Sequence, residues 1–401
     1  MTTLGAVPAV PASSQDHVAC AWTGRDRHKK SGHFRPWCHD NTYSAVTVAA
    51  RHPCPIREAR RRAAFVLSVA MPKITRDQNA EEEIAALVQF AFFRPHLAEL
   101  LEATARAEIG LIVLKGAALA ETVYARPSLR RFGDLDVLVR RADAARARTL
   151  LEGLGYIADR LQWAEIEGGR DCQANFFKHT GRGSVVVELH TELINNDLFF
   201  GQVRVDEGGL WGRARAARLA GTAALVLGPE DQILHLCLHL AGHYLAAPQS
   251  LRDIAQVIPA GAVDWDLLVR LARAAGAGPA CFAGLLAASR LGGAPVPDAV
   301  LDALAPRSGR VRLEQLALAR AADSFEDPTC ARTERLRPAL LWHLLGGPAA
   351  RVRAARGIVF PSRQWLRAHY APERVGPLRP PPMLWLQAVH WAALLRRVTG
   401  R

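Results

Sequence analysis

The sequence predicts an α+β fold: a mixed β-sheet flanked by helices, followed by a mostly helical C-terminal domain. Three observations carry this. Residues 111–114 (LIVL) are a short apolar run and 134–139 (DLDVLV) alternate polar and apolar side chains, as strands do. Residues 176–179 and 184–190 read as the two arms of a hairpin joined by Thr180-Gly181-Arg182-Gly183. From Glu230 onward the apolar residues recur at helical spacing, with Gly and Pro at the joints.

Taken in order, residues 1–70 are rich in Pro, Ser, Thr, Arg and His and show little periodicity before Arg57. They read as a disordered extension. An orderly helix follows Met71, so 1–70 is expected to be a leader or an upstream start. Cys20, His33, Cys38, His39 and Cys54 do not have the paired spacing of zinc ligands. Residues 77–108 read as helical, with Asn79 and Glu82 resembling a capping box. Ile84, Leu87, Val88 and Phe92 form one stripe, which Leu97, Leu100, Leu101 and Ala105 continue past Pro95, and it is expected to pack on the sheet.

The strand at 111–114 ends at Lys115-Gly116. A short Ala-rich helix over 117–124 is closed off by Pro127, and a basic loop, 128–132, leads to Gly133 and the next strand. Residues 142–154 form an amphipathic helix with Gly155 as its C-cap, and 156–161 a short strand. In the second hairpin arm Val185, Val187 and Leu189 share one face, and Val186, Glu188 and His190 the other. Pro229-Glu230-Asp231 opens a helix whose His235, His239 and His243 lie along one stripe. No acid of the HExxH kind accompanies them, so packing or substrate contact is expected rather than metal binding. Further helices open at 251–254 and 264–266, and Asp253 is expected at a domain interface or near an acceptor. Residues 292–297 are a linker, 307–321 and 338–346 are helical, and 377–382 are an extended spacer. The last segment, 383–398, is amphipathic and expected to dock on its own domain rather than on a membrane.

The chain has 401 residues, half of them hydrophobic, enough for two or three domains. The expected division is an extension over 1–70, a sheet-bearing domain with its N-terminal helices over 71–228, and a helical domain over 229–401. There is no run of about 20 apolar residues, so no transmembrane segment is expected. Nor is there a basic start followed by an apolar core, so no secretory signal is expected. Seven cysteines, an odd number without paired spacing, fit a reducing cytoplasm. The formal charge is +13, but residues 1–70 hold ten Lys and Arg against four acids, nearly half of that excess. Without an aromatic-interleaved basic stripe, no specific nucleic acid is expected as a partner. A solvated, Arg-rich surface is the favoured reading.

The residues of chemical interest are Asp134 and Asp136, which point the same way from one strand. Two such carboxylates repel each other unless a cation lies between them, and Mg²⁺, a hard ion shared with substrate phosphates, fits.

Lys115, Gly116, Ala117, Tyr124, Arg130, Gly133, Asp134, Asp136, Leu138 and Val139 match a KG-A…Y…R…GD-D-LV signature. In this the chain resembles bacterial proteins of the nucleotidyltransferase superfamily, which includes DNA polymerase beta and the aminoglycoside nucleotidyltransferases. The resemblance covers about residues 97–266. It departs from the superfamily in having Gly116-Ala117 where Gly-Ser or Gly-Gly is usual, and in the seventeen residues between Gly116 and Asp134. It implies a nucleotidyltransferase-type sheet and transfer of a nucleoside monophosphate from an NTP such as ATP to an acceptor hydroxyl, with release of pyrophosphate. Two Mg²⁺ ions would be held by Asp134, Asp136 and a third acid on a later strand. Glu188 stands where that acid is expected, with one methylene more than Asp. Gly116, Ala117 and Gly133 would lie along the triphosphate, and Lys115 and Arg130 would contact its β- and γ-phosphates. His190 would hydrogen-bond the acceptor or a metal-bound carboxylate, or be a packed strand histidine. The acceptor is a small molecule or, in an antitoxin-like protein, a partner protein. In a third reading the fold only binds nucleotide, as a sensor or scaffold.

Overall fold

A computed structural model of the chain describes residues 76–169, 171–194, 203–327, 329–345, 347–361, 366, 370 and 382–399. The extension over 1–70, the expected start at Met71, the five Cys and His residues within 1–70 and nearly all of the 377–382 spacer lie outside these residues. Seven strands form one mixed sheet: β1 (Leu111–Val113), β2 (Leu135–Val139), β3 (Ile157–Ala158), β4 (Gln173–Thr180), β5 (Gly183–His190), β6 (Arg215–Leu219) and β7 (Thr222–Val226). Their order is β3-β4-β5-β2-β1-β7-β6. β2 runs parallel to β5 and β1 parallel to β7, while the remaining neighbours are antiparallel.

Period-two alternation divides the sheet residues between two cores. Val113, Leu135, Val137, Val139, Val185, Val187 and Leu189 pack on one side, with Phe93, Leu97, Leu100 and Leu101 of α1 (Arg76–Arg106). Ile112 and Leu138 face the other way, into a larger core shared with the C-terminal helices. Those helices include α6 (Pro229–Gly242), α7 (Pro248–Ala260) and α9 (Gly278–Gly292). Asp136, Glu188 and His190 alternate with the first set and therefore lie on the side of the helical half. α9 is buried almost all round, which its small residues permit. A Cβ at Gly284 would come within 2.8 Å of the Cys237 Sγ on α6. Pro229 and Pro248 sit in the first turns of α6 and α7, where a missing N–H removes no hydrogen bond.

The fold class expected from the sequence is the one observed, and several local readings change. α1 is already helical at Arg76, so Asn79 lies inside it rather than at its start. The stripe expected to pack divides: Leu97, Leu100 and Leu101 are buried, but Ile84, Leu87 and Val88 are 60%, 47% and 65% exposed. In length and composition Glu83–Arg106 could cross a membrane, yet its second half is a wall of the sheet's core. The strand expected over 156–161 is confined to Ile157–Ala158, and α4 (Arg160–Glu167) follows it. The β6–β7 hairpin has no counterpart in the sequence reading, because both of its arms are centred on an Ala-Ala pair, with Arg at two positions of the first. It turns at Ala220-Gly221, both with positive φ (53° and 84°), the geometry of a two-residue hairpin turn. The last helix (Met383–Thr399) docks on the chain: Trp391 Nε1 donates to the Val359 carbonyl at 2.8 Å.

Candidate active site

Parallel pairing of β2 with β5 sets Asp136 directly opposite Glu188, and Leu138 opposite His190. Neighbouring strands lie about 4.8 Å apart, so the register alone brings the second and third acids together. Asp134 belongs to the turn just before β2 rather than to the strand. One ligand atom each from Asp136, Glu188 and His190 lie within 4.8 Å of one another. His190 Nε2 is 3.3 Å from Asp136 Oδ1 and 3.8 Å from Glu188 Oε2. Lys115 Nζ closes the group at 2.7 Å from Asp136 Oδ1.

The charges are strongly unequal in their surroundings. Burial alone would raise the Asp136 carboxyl, but the Lys115 ammonium and the hydrogen bond to His190 hold it well below the usual carboxylate range. Burial works against the Lys115 charge, and Asp136 and Glu188 overcome it, keeping that ammonium above its ordinary value. His190 is likewise raised, burial being outweighed by hydrogen bonds to Asp136 and Glu188. Asp134 is less well compensated: burial, Asp136 and Glu188 push it up to about 7 against the smaller opposing pull of Lys115 and Arg130. At about 5 Å and an effective dielectric of 20, two carboxylates repel by roughly 3 kcal/mol. Among the described residues, Asp136, Glu188 and His190 form the group that could hold a metal ion, and Asp134 lies outside it; two carboxylates and an imidazole are a donor set that a divalent cation can take.

The other expected site residues occupy different surroundings. Lys115 has φ 38°, a strained value for a side-chain-bearing residue, and heads α2 (Lys115–Thr122) with its side chain turned onto Asp136. Gly116 is buried, and a Cβ there would meet the Phe132 Cβ at 2.4 Å. The glycine thus admits Phe132, where the sequence reading expected close approach of a triphosphate. Ala117 is buried in the α1 core. Gly133 adjoins Asp134 and faces open space, with nothing within 4 Å of a Cβ built on it. Arg130, expected on phosphate, directs Nε and Nη2 to the two Asp253 oxygens at 2.7 and 2.8 Å. Tyr124 Oη donates to Asp253 Oδ1 at 2.7 Å and Gln249 Nε2 to the same oxygen at 3.1 Å. Gln249 and Phe132 went unread in the sequence. The spacing of Gln249 and Asp253, four apart on one helix, was the available signal for the first.

The histidine stripe of α6 leads away from this group. His235 is buried, and burial and the Lys115 charge lower it to about 3. The His239 and His243 rings meet edge to face at 4.6 Å. Among the described residues, none of these three histidines belongs to a group able to hold a metal ion.

A family model described as an uncharacterised nucleotidyltransferase matches residues 61–323. No curated protein and no solved structure matches the chain.

Proposed function

This chain belongs to the uncharacterised nucleotidyltransferase family, and from that premise we propose that it transfers a nucleoside monophosphate from an NTP to an acceptor hydroxyl, releasing pyrophosphate. The observation that carries the reading is the pairing of Asp136 with Glu188 across β2 and β5, beside Asp134.

Asp134, Asp136 and Glu188 would hold the divalent cation, Mg²⁺ by donor chemistry, and when bound it would supply positive charge against that developing on the attacking and leaving oxygens. Lys115 keeps Asp136 ionised and in place, and its ammonium adds positive charge near the triphosphate. The first turn of α2 has neither a side-chain cap nor an acidic residue, so it favours an anion over a cation. His190 fixes Asp136 from the strand side, as a buried partner of a metal-binding carboxylate does. Glu188, partly exposed at the same edge, takes the acceptor proton as the acceptor oxygen bonds to the α-phosphorus. The bond from that phosphorus to the β-phosphate bridging oxygen breaks in the same step. Its electron pair leaves with pyrophosphate.

Asp136→Asn is expected to abolish label transfer from α-³²P-NTPs to acceptors in a cell extract while the far-UV circular dichroism stays unchanged. Undiminished transfer by purified Asp136→Asn protein would reject the assignment. The mass gained by the labelled product identifies the acceptor as small molecule or protein.

A further inference from the structure

The last helix, Met383–Thr399, docks with one face only. Leu386 and His390, one turn apart, are buried, and His390 Nε2 donates to the Ile358 carbonyl at 2.7 Å. Gln387 Nε2 and Trp391 Nε1 both donate to the Val359 carbonyl, at 2.9 and 2.8 Å. These bonds hold the helix against the end of helix Pro348–Val359. Turned away from the buried pair, Leu384, Ala388, Trp391 and Leu395 recur at helical spacing and form an apolar stripe. Leu384 is 86% exposed, Trp391 41% and Leu395 63%. Trp385 is exposed beside them, and the exposed Phe360 ring meets Trp391 edge to face with centroids 5.7 Å apart. Helix Pro348–Val359 buries none of its residues, and it exposes Val352, Ile358 and Val359 together with Arg353 and Arg356.

The charge of this region is one-sided. Residues 338–401 contain ten Arg, no Lys and a single acid, Glu373. Both helices lie beyond residues 61–323, which the family model matches, so the surface is separate from the transfer reaction. We propose that it binds an anionic lipid membrane peripherally, with the apolar stripe in the bilayer interface and the arginines against the headgroups. An exposed apolar stripe with Trp, bordered by Arg, is the pattern of helices that lie in such an interface, where Trp settles at headgroup level. Anionic headgroups attract clustered arginines. The docked face keeps the helix on the protein, so it lies on the bilayer rather than crossing it. A second copy of the chain would cover the stripe only by bringing two Arg-rich, acid-poor faces together, which like charge disfavours. A nucleic acid would meet the arginines, but the outward Leu384, Val352 and Leu395 side chains offer its bases no stacking face. A lipid surface uses the apolar and the basic parts at once.

The experiment is flotation of the full chain with vesicles of phosphatidylcholine alone and of phosphatidylcholine mixed with phosphatidylglycerol. Binding is expected to the mixed vesicles and to fall as salt rises. Leu384→Glu/Leu395→Glu, at exposed positions, is expected to lower the partition coefficient about tenfold or more, with circular dichroism unchanged. Arg351→Gln/Arg353→Gln/Arg356→Gln is expected to lower it about tenfold or more on mixed vesicles only. Brominated lipid in the mixed vesicles is expected to quench tryptophan fluorescence, and Trp385→Phe to remove much of that quenching. Wild-type chain that stays off mixed vesicles overturns the proposal. So does binding that the two Leu→Glu changes leave intact, which would assign it to basic charge elsewhere in the chain. Equal binding to neutral vesicles overturns the role of the arginines. A dimer that Leu384→Glu/Leu395→Glu turns into a monomer, without vesicle binding, means that a second copy covers the stripe. Tighter binding to a single-stranded oligonucleotide than to mixed vesicles, lost in the triple Arg variant, overturns the proposal in favour of nucleic acid.

Discussion

Asp134 and Asp136 are two residues apart and chemically identical, yet their surroundings make one a permanent anion and the other a titrating group. Asp136 has Lys115 at 2.7 Å and His190 at 3.3 Å, whereas Asp134 meets mainly other carboxylates and rises to about 7. A carboxyl raised above its unfolded value near 3.9 is a charge that folding disfavours. In the metal-free protein its ionisation therefore removes stability as pH rises from about 4 to about 7, and the loss is constant above that. A divalent cation binds the ionised form, so below pH 7 it must displace a proton. Mg²⁺ is accordingly expected to raise the melting temperature more at pH 8 than at pH 6. An equal or larger rise at pH 6 would show that Asp134 takes no part in binding. The strands bearing Asp136, Glu188 and His190 were legible in the sequence, because alternation fixes which face those side chains take, whereas Asp134 lies just before β2, where alternation does not place it. The partners of the cations were not legible. Which carboxylate Arg130 or Lys115 takes is decided by contacts 123 and 21 positions away, and nothing local to either residue signals them.

At the scale of elements, the Lys115-Gly116 turn is the place where packing and chemistry meet. Gly116 lets Phe132 lie against the start of α2, and Phe132 in turn packs against Phe93 of α1 with ring centroids 5.4 Å apart. An alanine there would place its Cβ 2.4 Å from the Phe132 Cβ, a separation that forces one of the two elements to shift. Gly116→Ala is expected to cost about 1–3 kcal/mol, the usual range for overpacking. Combined with Phe132→Gly, which removes the Cβ that the new methyl would meet, it should cost less than the sum of the two single changes. Urea unfolding of the four proteins gives the coupling. Strict additivity would mean that the glycine serves the ligand and not the ring. The β4–β5 hairpin was readable because valines and a glycine loop announce it. β6 and β7 were not, since Ala-rich arms have little strand preference and pair only because β1 offers an edge. The exposed stripe at the start of α1 shows the limit of periodicity, which tells where apolar residues align but not how far the sheet beneath them extends.

At the scale of the whole molecule, the sequence suggested a boundary near 228 from a change in pattern, strands before it and helices after it. Packing across that position is continuous. Ile112, Leu114, Leu119 and Leu138 from the sheet-bearing half lie in the same core as Leu236, Leu240, Ile254, Phe282 and Leu286 from the helices. The pair of the half-buried Arg213 with the buried Asp231, at 2.7 Å, ties the two sides together again. Separating the halves would expose those apolar faces and leave Asp231 and Asp253 buried without their arginines, a cost that neither half alone can offset. The sheet and the helical half are therefore expected to open together. In native-state hydrogen exchange, the amides of Leu135–Val139 and Pro229–Gly242 should share one opening free energy within about 1 kcal/mol. Exchange of α6 at much lower cost, with β2 still protected, would establish two separable domains. It would also mean that the Asp253–Arg130 link, which joins the loop before β2 to the helices, can break without unfolding the sheet.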